Sequence, residues 1–217
     1  MDEETKTILE NLRKATFEYD NDLAAKSATQ SVEKGIDPLE ALDVMTAAIR
    51  EIGDAFGTGE LWLPDLVGAS DAMRSAVPIL EKEIKRRGAH RESLGRVVAG
   101  TVFGDIHSIG KTMVVTLLTA AGFEVQDLGV NINAEGFIHA INKYGANLLV
   151  MSALMTTTCV EQEKVVAELK KEELGEKVKV MVGGAAVTEE FAETIGADGY
   201  DPTAPGAVAL AKKLLGK

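Results

Sequence analysis

The sequence has a single cysteine, no long apolar run and no excess of basic residues. Cys159 alone excludes an internal disulfide framework and fits a reducing compartment. No apolar run approaches the length of a transmembrane helix, about 18 residues, and the acidic start, Met-Asp-Glu-Glu, is the opposite of a signal peptide's basic start. The formal net charge of −11 argues against binding to nucleic acid or to an anionic membrane. We therefore expect a soluble, cytoplasmic protein.

The first 87 residues show the spacing of helices and no convincing strand. Five apolar residues recur every three or four positions, as on the buried face of a helix: Leu42, Met45, Ile49, Ile52 and Phe56. Asp37-Pro38 predicts the start of this helix and Gly57-Thr58-Gly59 its end. Similar spacing predicts two helices before it and one after it, which starts at Pro64 and contains Pro78. Residues 1–87 are therefore predicted to form an up-down bundle of four helices.

From residue 96 to residue 217 the pattern alternates between strands and helices, after a predicted linker over residues 88–95. Strand-like runs cover residues 96–103, 124–129, 146–152, 177–182 and 197–200. Helix-like runs cover residues 109–121, 134–144, 159–173, 188–195 and 203–215. Five alternating units predict an α/β domain with a parallel, five-stranded sheet, flavodoxin-like or Rossmann-like, covered by helices on both faces.

Three loops that follow predicted strands carry unusual residues: Asp105-x-His107-x-x-Gly110, then Ser152-x-Leu154, then Gly183-Gly184. The carboxyl ends of parallel strands meet at one edge of a sheet, where ligands bind, so these loops are expected to converge. An aspartate two residues before a histidine can orient the imidazole, so that the other ring nitrogen binds a metal. The first loop therefore predicts a histidine metal ligand with an orienting carboxylate.

Each of these motifs also has an ordinary structural explanation. A single histidine in a loop is more often a surface residue than a metal ligand. Ser152 can cap a helix through its hydroxyl, and Gly183-Gly184 can simply form a tight turn. The occurrence of all three motifs on successive loops of one sheet favours a binding site.

The spacing of these motifs resembles the cobalamin-binding signature of methionine synthase and its relatives. There are 41 residues between Gly110 and Ser152, and 28 between Leu154 and Gly183. The helical region, with the segment from Phe56 to Pro64, resembles the methyl-protecting cap of that family. A chain of this length with both parts is similar to the small corrinoid proteins of anaerobic methyltransferase systems. The resemblance spans essentially the whole chain.

The resemblance implies a role for each matching residue. The nucleotide base of the corrinoid would leave the cobalt, and His107 would replace it as the lower axial ligand, an arrangement called base-off/His-on. Asp105 and Thr158 would complete a catalytic relay behind that ligand, although the methionine synthase pattern has serine where Thr158 stands. The other cofactor contacts that the resemblance implies are Ser108, Ile109, Gly110, Ser152, Leu154, Thr156, Gly183, Gly184, Ala204, Phe56 and Leu63.

The resemblance implies a more specific role for eight of these contacts. Ser152 would hydrogen-bond the buried base, and Leu154 would line its tunnel. Gly183 and Gly184 would leave room for the nucleotide tail. Thr156 and Ala204 would contact the corrin ring. Phe56 and Leu63 would cover the upper, methyl-bearing face; without the resemblance, both are equally well explained as core residues of the bundle.

The implied function is that of a methyl carrier that is not catalytic alone. The cobalt of the bound cobalamin would cycle between Co(I) and methyl-Co(III). A donor-specific methyltransferase would supply the methyl group, a second methyltransferase would remove it, and a reductive activase would restore the cobalt. The donor stays open among methylamines, methanol, methylated betaines and aromatic methyl ethers, as do the final acceptor and the oligomeric state.

Several other functions fit the sequence less well. A cobalamin-binding subunit of an adenosylcobalamin mutase shares the sheet motif but lacks the helical cap. A cobalamin-dependent sensor has the cap, but it also has a DNA-binding domain and a tryptophan followed ten residues later by Glu-His; here Trp62 is followed by Ala72-Met73. A zinc site is poorly supported because the histidines and Cys159 lack ligand spacing. A nucleotide site lacks the Gly-x-Gly-x-x-Gly turn.

Overall fold

The computed structural model describes residues 2–87 and 93–217, and it divides the chain into two compact units, Met1–Glu92 and Ser93–Lys217. Most of the predicted linker, residues 88–92, lies outside the described residues. Its last three residues, 93–95, belong to the second unit. Within the described residues, no helix combines the length and apolar character needed to cross a membrane.

Residues 2–87, the described part of the first unit, form four helices: α1 (Glu3–Phe17), α2 (Asn21–Lys34), α3 (Pro38–Thr58) and α4 (Leu63–Arg87). Three of them begin at aspartates whose side chains accept a hydrogen bond from a first-turn backbone N–H: Asp2, Asp20 and Asp37. Gly35 and Gly59 end α2 and α3 in the left-handed conformation that glycine adopts without strain. These caps explain why the helices begin and end where they do.

The core of the first unit is made of the apolar faces of these helices. Helix α2 packs against α1 and α4, and α3 packs against the same two helices. The largest fully buried side chains here are Leu12, Leu42, Met45, Ile49, Ile52, Leu66 and Leu80. The prediction of a four-helix region is confirmed, and α4 continues through Pro78.

The second unit is an α/β domain with a fully parallel sheet. Its strands are β1 (Arg96–Thr101), β2 (Glu124–Asp127), β3 (Leu148–Ser152), β4 (Lys179–Gly183) and β5 (Gly199–Tyr200). Its helices are α5 (Ile109–Ala120), α6 (Ala134–Tyr144), α7 (Thr156–Lys171), α8 (Glu189–Ile195) and α9 (Ala204–Leu214). The strand order, β2-β1-β3-β4-β5, is that of a flavodoxin-like sheet and confirms the predicted fold class.

Alternate residues of the strands face two separate cores. One core, against α5 and α9, contains Val97, Ala99, Val150 and Met181. The other core, against α6, α7 and α8, contains the residues that alternate with these along the strands, such as Val98, Leu149 and Val180. The sheet is therefore buried on both faces, as the near-continuous apolar strands predict. The connection after β1 leads to β2 on one side of the sheet, and the connection after β3 leads to β4 on the other side, which creates a crevice at the carboxyl ends of β1 and β3.

Helix α7 differs from its prediction. The sequence predicts a helix over residues 159–173, whereas the structure begins it at Thr156 and ends it at Lys171. Three successive threonines are unfavourable inside a helix because they are β-branched. In the first turn they are tolerated, and the Thr158 hydroxyl lies 3.0 Å from the carbonyl oxygen of Met155. Thr158 is therefore a first-turn helix residue with a fixed position.

Candidate functional site

Asp105 is fully buried and joins two of the three loops at the edge of the sheet. Its Oδ1 accepts a hydrogen bond from the backbone N–H of His107 at 3.0 Å and lies 2.8 Å from the ring Nδ1 of the same residue. Its Oδ2 accepts hydrogen bonds from the Leu154 backbone N–H at 2.8 Å and from the Thr158 hydroxyl at 2.7 Å. The first loop is therefore fixed to the segment after β3.

The hydrogen bonds of Asp105 determine its charge. Burial by itself raises the pKa of this carboxyl group, but hydrogen bonds from the His107 backbone, the Thr158 hydroxyl and the Leu154 backbone outweigh burial. The pKa of Asp105 therefore lies well below its ordinary value, and the group is a carboxylate at neutral pH. A carboxylate only accepts hydrogen bonds, so Nδ1 of His107 carries the proton between them.

This tautomer leaves Nε2 of His107 with a lone pair for a metal. The histidine side chain is 47% exposed, and Nε2 has no hydrogen-bond partner in the described parts of the chain. The loop that carries the ring is held on its inner side, where the Thr101 hydroxyl donates to the carbonyl oxygen of His107 at 2.9 Å. His107 is thus presented as a single nitrogen ligand on a fixed loop.

A cleft of about 870 Å³ opens beside His107, between α5 and α9 at the carboxyl edge of the sheet. Its floor is formed by alternate residues of the two central strands, which lie in pairs: Val150 beside Met181, and Ser152 beside Gly183. Since alternate residues of a strand share a face, both pairs face α5 and α9. The outer pair is small and partly polar, and the inner pair is apolar.

The two glycines at this edge have different structural roles. A Cβ on Gly184 would lie 1.9 Å from the carbonyl oxygen of Ala153, and the residue has a φ of +118°. A Cβ on Gly183 would have only the carbonyl oxygen of Asp201 within 4 Å, at 3.9 Å. The resemblance implies that both glycines leave room for a nucleotide tail. The close packing of the β3 and β4 loops already requires Gly184, whereas Gly183 faces open space in the cleft.

Most of the predicted contact residues line this cleft: Ser108, Ile109, Gly110, Ser152, Leu154, Gly183, Gly184 and Ala204. Ser152 does not cap α7, because the residue at that position is Met155. Thr156 is exposed at the start of α7 and lies outside the cleft lining. Phe56 and Leu63 lie in the first unit and are half-buried, outside its fully buried core.

Two further residues at this edge were not predicted. Lys111, in the first turn of α5, is buried and lines the cleft, and its ammonium group pairs with the carboxylate of Asp127 at the end of β2. A lysine in the first turn opposes the helix dipole, which is the signal that could have revealed it. Gln162 is buried on α7, and its amide donates to the carbonyl oxygens of Met151 and Gly183, both at 3.2 Å. No local sequence pattern reveals that contact.

The metal-binding groups beside the cleft fit a metal that already has most of its ligands. In the described ranges, 2–87 and 93–217, no three His, Cys, Asp or Glu side chains come together to hold an ion. The site instead offers one imidazole nitrogen, a cleft beside it and an open glycine on the floor of that cleft. Those features fit a macrocycle that brings its own four equatorial nitrogens and a tail that enters the cleft. They do not fit zinc, which needs at least three protein ligands.

Two family models match this chain, and both are described as a B12 binding domain. One covers residues 95–209, which is more than half of the chain, and the other covers residues 8–81. The fold and the site therefore define a B12-binding protein, in which the α/β unit and the helical unit both match the family.

Relatives of similar length narrow this class. The chain is 40% identical to the trimethylamine corrinoid protein of Methanosarcina barkeri over 209 residues, covering 96% of each chain. It is 41% identical to dimethylamine corrinoid protein 1 of Methanosarcina mazei, also over 209 residues and 96% of each chain. The chain belongs to the family of corrinoid proteins, and it binds a corrinoid.

A solved structure supports the same assignment. The crystal structure of the methanol:cobalamin methyltransferase complex from Methanosarcina barkeri matches with a TM-score of 0.82 and 28% identity, covering 97% of this chain and 80% of that chain. Both units are included in that coverage.

Proposed function

We propose that this chain is a corrinoid methyl-carrier protein of a methyltransferase system of the methylamine or methanol type, and that it holds its corrinoid base-off/His-on through His107. The chain alone does not transform a substrate. The observation that carries the proposal is the 2.8 Å contact between Asp105 and Nδ1 of His107, because it leaves Nε2 of a half-exposed ring beside the cleft available to a metal.

When bound, the corrinoid supplies a cobalt that can accept a methyl group and release it. The residues of the chain hold and orient this group. His107 would hold the cobalt through Nε2, Asp105 fixes the tautomer and direction of the His107 ring, and Thr158 holds the far oxygen of Asp105. Asp105 is a buried carboxylate held by three other donors, so the imidazole cannot turn without breaking its hydrogen bond to a fixed acceptor.

The cleft accommodates the nucleotide tail in this proposal. Ser152 and Gly183 form the outer floor, where a hydroxyl can bond to the base and the absence of a side chain leaves room. Leu154 and Ala204 lie at the rim of the same cleft. Contacts of Thr156 with the corrin ring, and of Phe56 and Leu63 with its upper face, stay predictions.

The partners follow from the carrier role. We propose that a methyltransferase specific for a methylamine or methanol supplies the methyl group, that a second methyltransferase removes it, and that a reductive activase restores the cobalt. The similarity to a solved methanol:cobalamin methyltransferase complex supports the first of these partners. Methylation of the reduced protein by candidate methyltransferase and donor pairs identifies the donor.

Substitution of His107→Ala tests the ligand assignment. We expect the methylated, corrinoid-loaded variant to lose the visible absorption of the imidazole-ligated form and to show that of a corrinoid without a nitrogen below the cobalt. His139→Ala is the matched control, because His139 is an exposed histidine on α6 of the same unit. An unchanged spectrum in His107→Ala removes this residue as the ligand.

A further inference from the structure

The inner part of the cleft has an apolar lining that we call the inner wall: Val150 and Met181 on the floor, Met113 and Val114 on α5, and Ala207 on α9. Val150 and Met181 lie two residues before Ser152 and Gly183 on the same strand face, so they are one step further into the molecule. Only 8% of Val150 and 2% of Met181 are exposed. A group that reaches the inner wall is therefore removed from water.

None of the five inner-wall side chains is polar, and the polar side chains of the lining belong to other parts of the cleft. Ser108 precedes α5 at the carboxyl edge of the sheet, and Tyr200 pairs with Val182 and packs against the core on the opposite face of the sheet.

The ammonium group of Lys111 is paired with Asp127. The hydroxyl of Thr203 donates to Asp201 at 2.8 Å and accepts from the backbone N–H of Gly206 at 3.0 Å. The hydroxyl of Ser152 has no partner in the described parts of the chain, but it belongs to the outer floor.

Given the proposed function, which this inference takes as its basis, we infer that the inner wall selects corrinoids by their lower base. It accepts a base whose far edge is hydrocarbon, such as 5,6-dimethylbenzimidazole or a methylated phenol. It discriminates against adenine, whose far edge carries an amine and ring nitrogens. Those polar atoms lose water on entering the cleft and find no partner on the inner wall.

The expected discrimination is moderate. A hydrophobic pocket rejects a similar molecule with an added polar group by about a hundredfold at most. Adenine also holds cobalt more weakly than dimethylbenzimidazole, so its release costs less. That difference favours the adenine form, and a measured preference for the dimethylbenzimidazole form therefore reflects the protein. We expect the adenine form to bind roughly tenfold to a hundredfold more weakly.

Equilibrium dialysis of the full chain, read by visible absorption, tests the inference with four probes. Three are complete corrinoids with dimethylbenzimidazole, p-cresol or adenine as the base, and the fourth is cobinamide, which has no nucleotide. The first two are expected to bind well and adenine weakly. The dimethylbenzimidazole form is the sharpest comparison with adenine, because its base costs more to release from cobalt, whereas the p-cresol base does not coordinate cobalt and has no release cost.

Two variants test whether the inner wall causes the preference between bases. Val150→Thr places a hydroxyl on the inner wall at nearly constant volume, and it is expected to reduce the difference between p-cresol and adenine by several-fold. Val115→Thr is the matched control, because Val115 is a buried valine of the same core that does not line the cleft. An unchanged ratio in Val150→Thr overturns the assignment to the inner wall. The wild-type comparison is independent of whether either variant folds.

The outcomes distinguish a failure of base selection from a failure of the proposed function. Equal affinity for all three complete corrinoids overturns base selection and leaves corrinoid binding intact. Tighter binding of the adenine form also overturns it. Failure of all four probes to bind refutes the proposed function, and base selection with it.

Discussion

Thr158 is the residue in which this site departs from the serine of the methionine synthase pattern, and its two functional groups have separate contacts. Its hydroxyl donates to the buried Asp105 carboxylate at 2.7 Å. Its methyl group faces Gly104, where a Cβ would lie 3.6 Å from it. The hydroxyl therefore supports the carboxylate behind the axial ligand, and the methyl group packs against the loop that carries Asp105.

Loss of the Thr158 hydroxyl is expected to lower the free energy of unfolding more than loss of the Thr158 methyl group. Thr158→Val removes a hydrogen bond to a buried charge, and we expect a loss of about 1.5–3 kcal/mol in the free energy of unfolding. Thr158→Ser keeps the hydroxyl and loses about 0.8 kcal/mol for one buried methyl group. Urea unfolding of the two variants measures both values. Equal losses contradict the assigned role of the hydroxyl.

Gly183 and Gly184 allow structure and binding to be separated. Gly184→Ala forces a methyl group into the carbonyl oxygen of Ala153, so we expect a loss of roughly 4 kcal/mol or more, or failure to fold. Gly183→Ala has space for its methyl group and is expected to change unfolding by less than about 1 kcal/mol. Since that methyl group enters the cleft, corrinoid binding is expected to weaken. Thermal unfolding and equilibrium dialysis give the two readouts.

The sequence predicts single residues where the chemistry is local. Asp105 and His107 are two positions apart, so their contact follows from the sequence alone. The contact of Asp105 with Thr158 spans 53 residues, and only the resemblance to a known family predicted it. Gly184 lies close to the backbone of Ala153 in another loop, and a contact between backbones leaves no side-chain pattern in the sequence from which it could be predicted. The sequence does not reveal the role of Lys111, because its partner, Asp127, lies 16 residues later at the end of β2.

At the scale of elements, the end of α4 contains a cluster of charges that makes the first unit sensitive to acid. Glu83 is buried, and its carboxylate accepts hydrogen bonds from Arg86 and from Arg87, three and four residues later. The hydrogen bond from Arg86 has the largest effect and that from Arg87 the next largest, and together they lower the pKa of Glu83 from 4.5 to about 2. The carboxylate is therefore more stable in the folded helix than in the unfolded chain.

The sign of the pH dependence follows from this lowered pKa. The stabilisation by Glu83 is fully present above its unfolded pKa of 4.5, and it is lost as the pH falls toward about 2. Glu83→Gln is therefore expected to be less stable than the wild-type chain at pH 7 and to approach it near pH 2. Urea unfolding monitored by helical circular dichroism measures the difference across that range. A difference that does not depend on pH contradicts the role of this carboxylate.

The order and type of the elements were predictable because periodicity and capping residues are local signals. The apolar spacing predicts the four helices, and the buried strands appear as continuous apolar runs. The start of α7 was predicted at residue 159, three residues late, because Thr156 and the two threonines after it have low helix propensity. Helix propensity is a weak guide at a helix end, where long-range contacts such as that of Thr158 fix the first turn.

At the scale of the whole molecule, the complete candidate site for the lower face of the corrinoid lies within one unit. Every residue that lines the cleft belongs to Ser93–Lys217, and so do all the partners of Asp105. That unit has two apolar cores of its own, one on each face of the sheet. Its first residues are also part of the fold, because the backbone N–H of Leu94 donates to the carbonyl oxygen of Gly122.

A fragment of residues 93–217 is therefore expected to fold and to bind the corrinoid through His107. It should begin at Ser93, because that hydroxyl accepts hydrogen bonds from the backbone N–H groups of Gly95 and Glu124. We expect cooperative thermal unfolding of the fragment and a visible spectrum of the imidazole-ligated corrinoid that matches that of the full chain. The same fragment with His107→Ala is the control. A folded fragment that binds no corrinoid shows that the α/β unit is insufficient, and that the first unit supplies binding energy that the cleft does not.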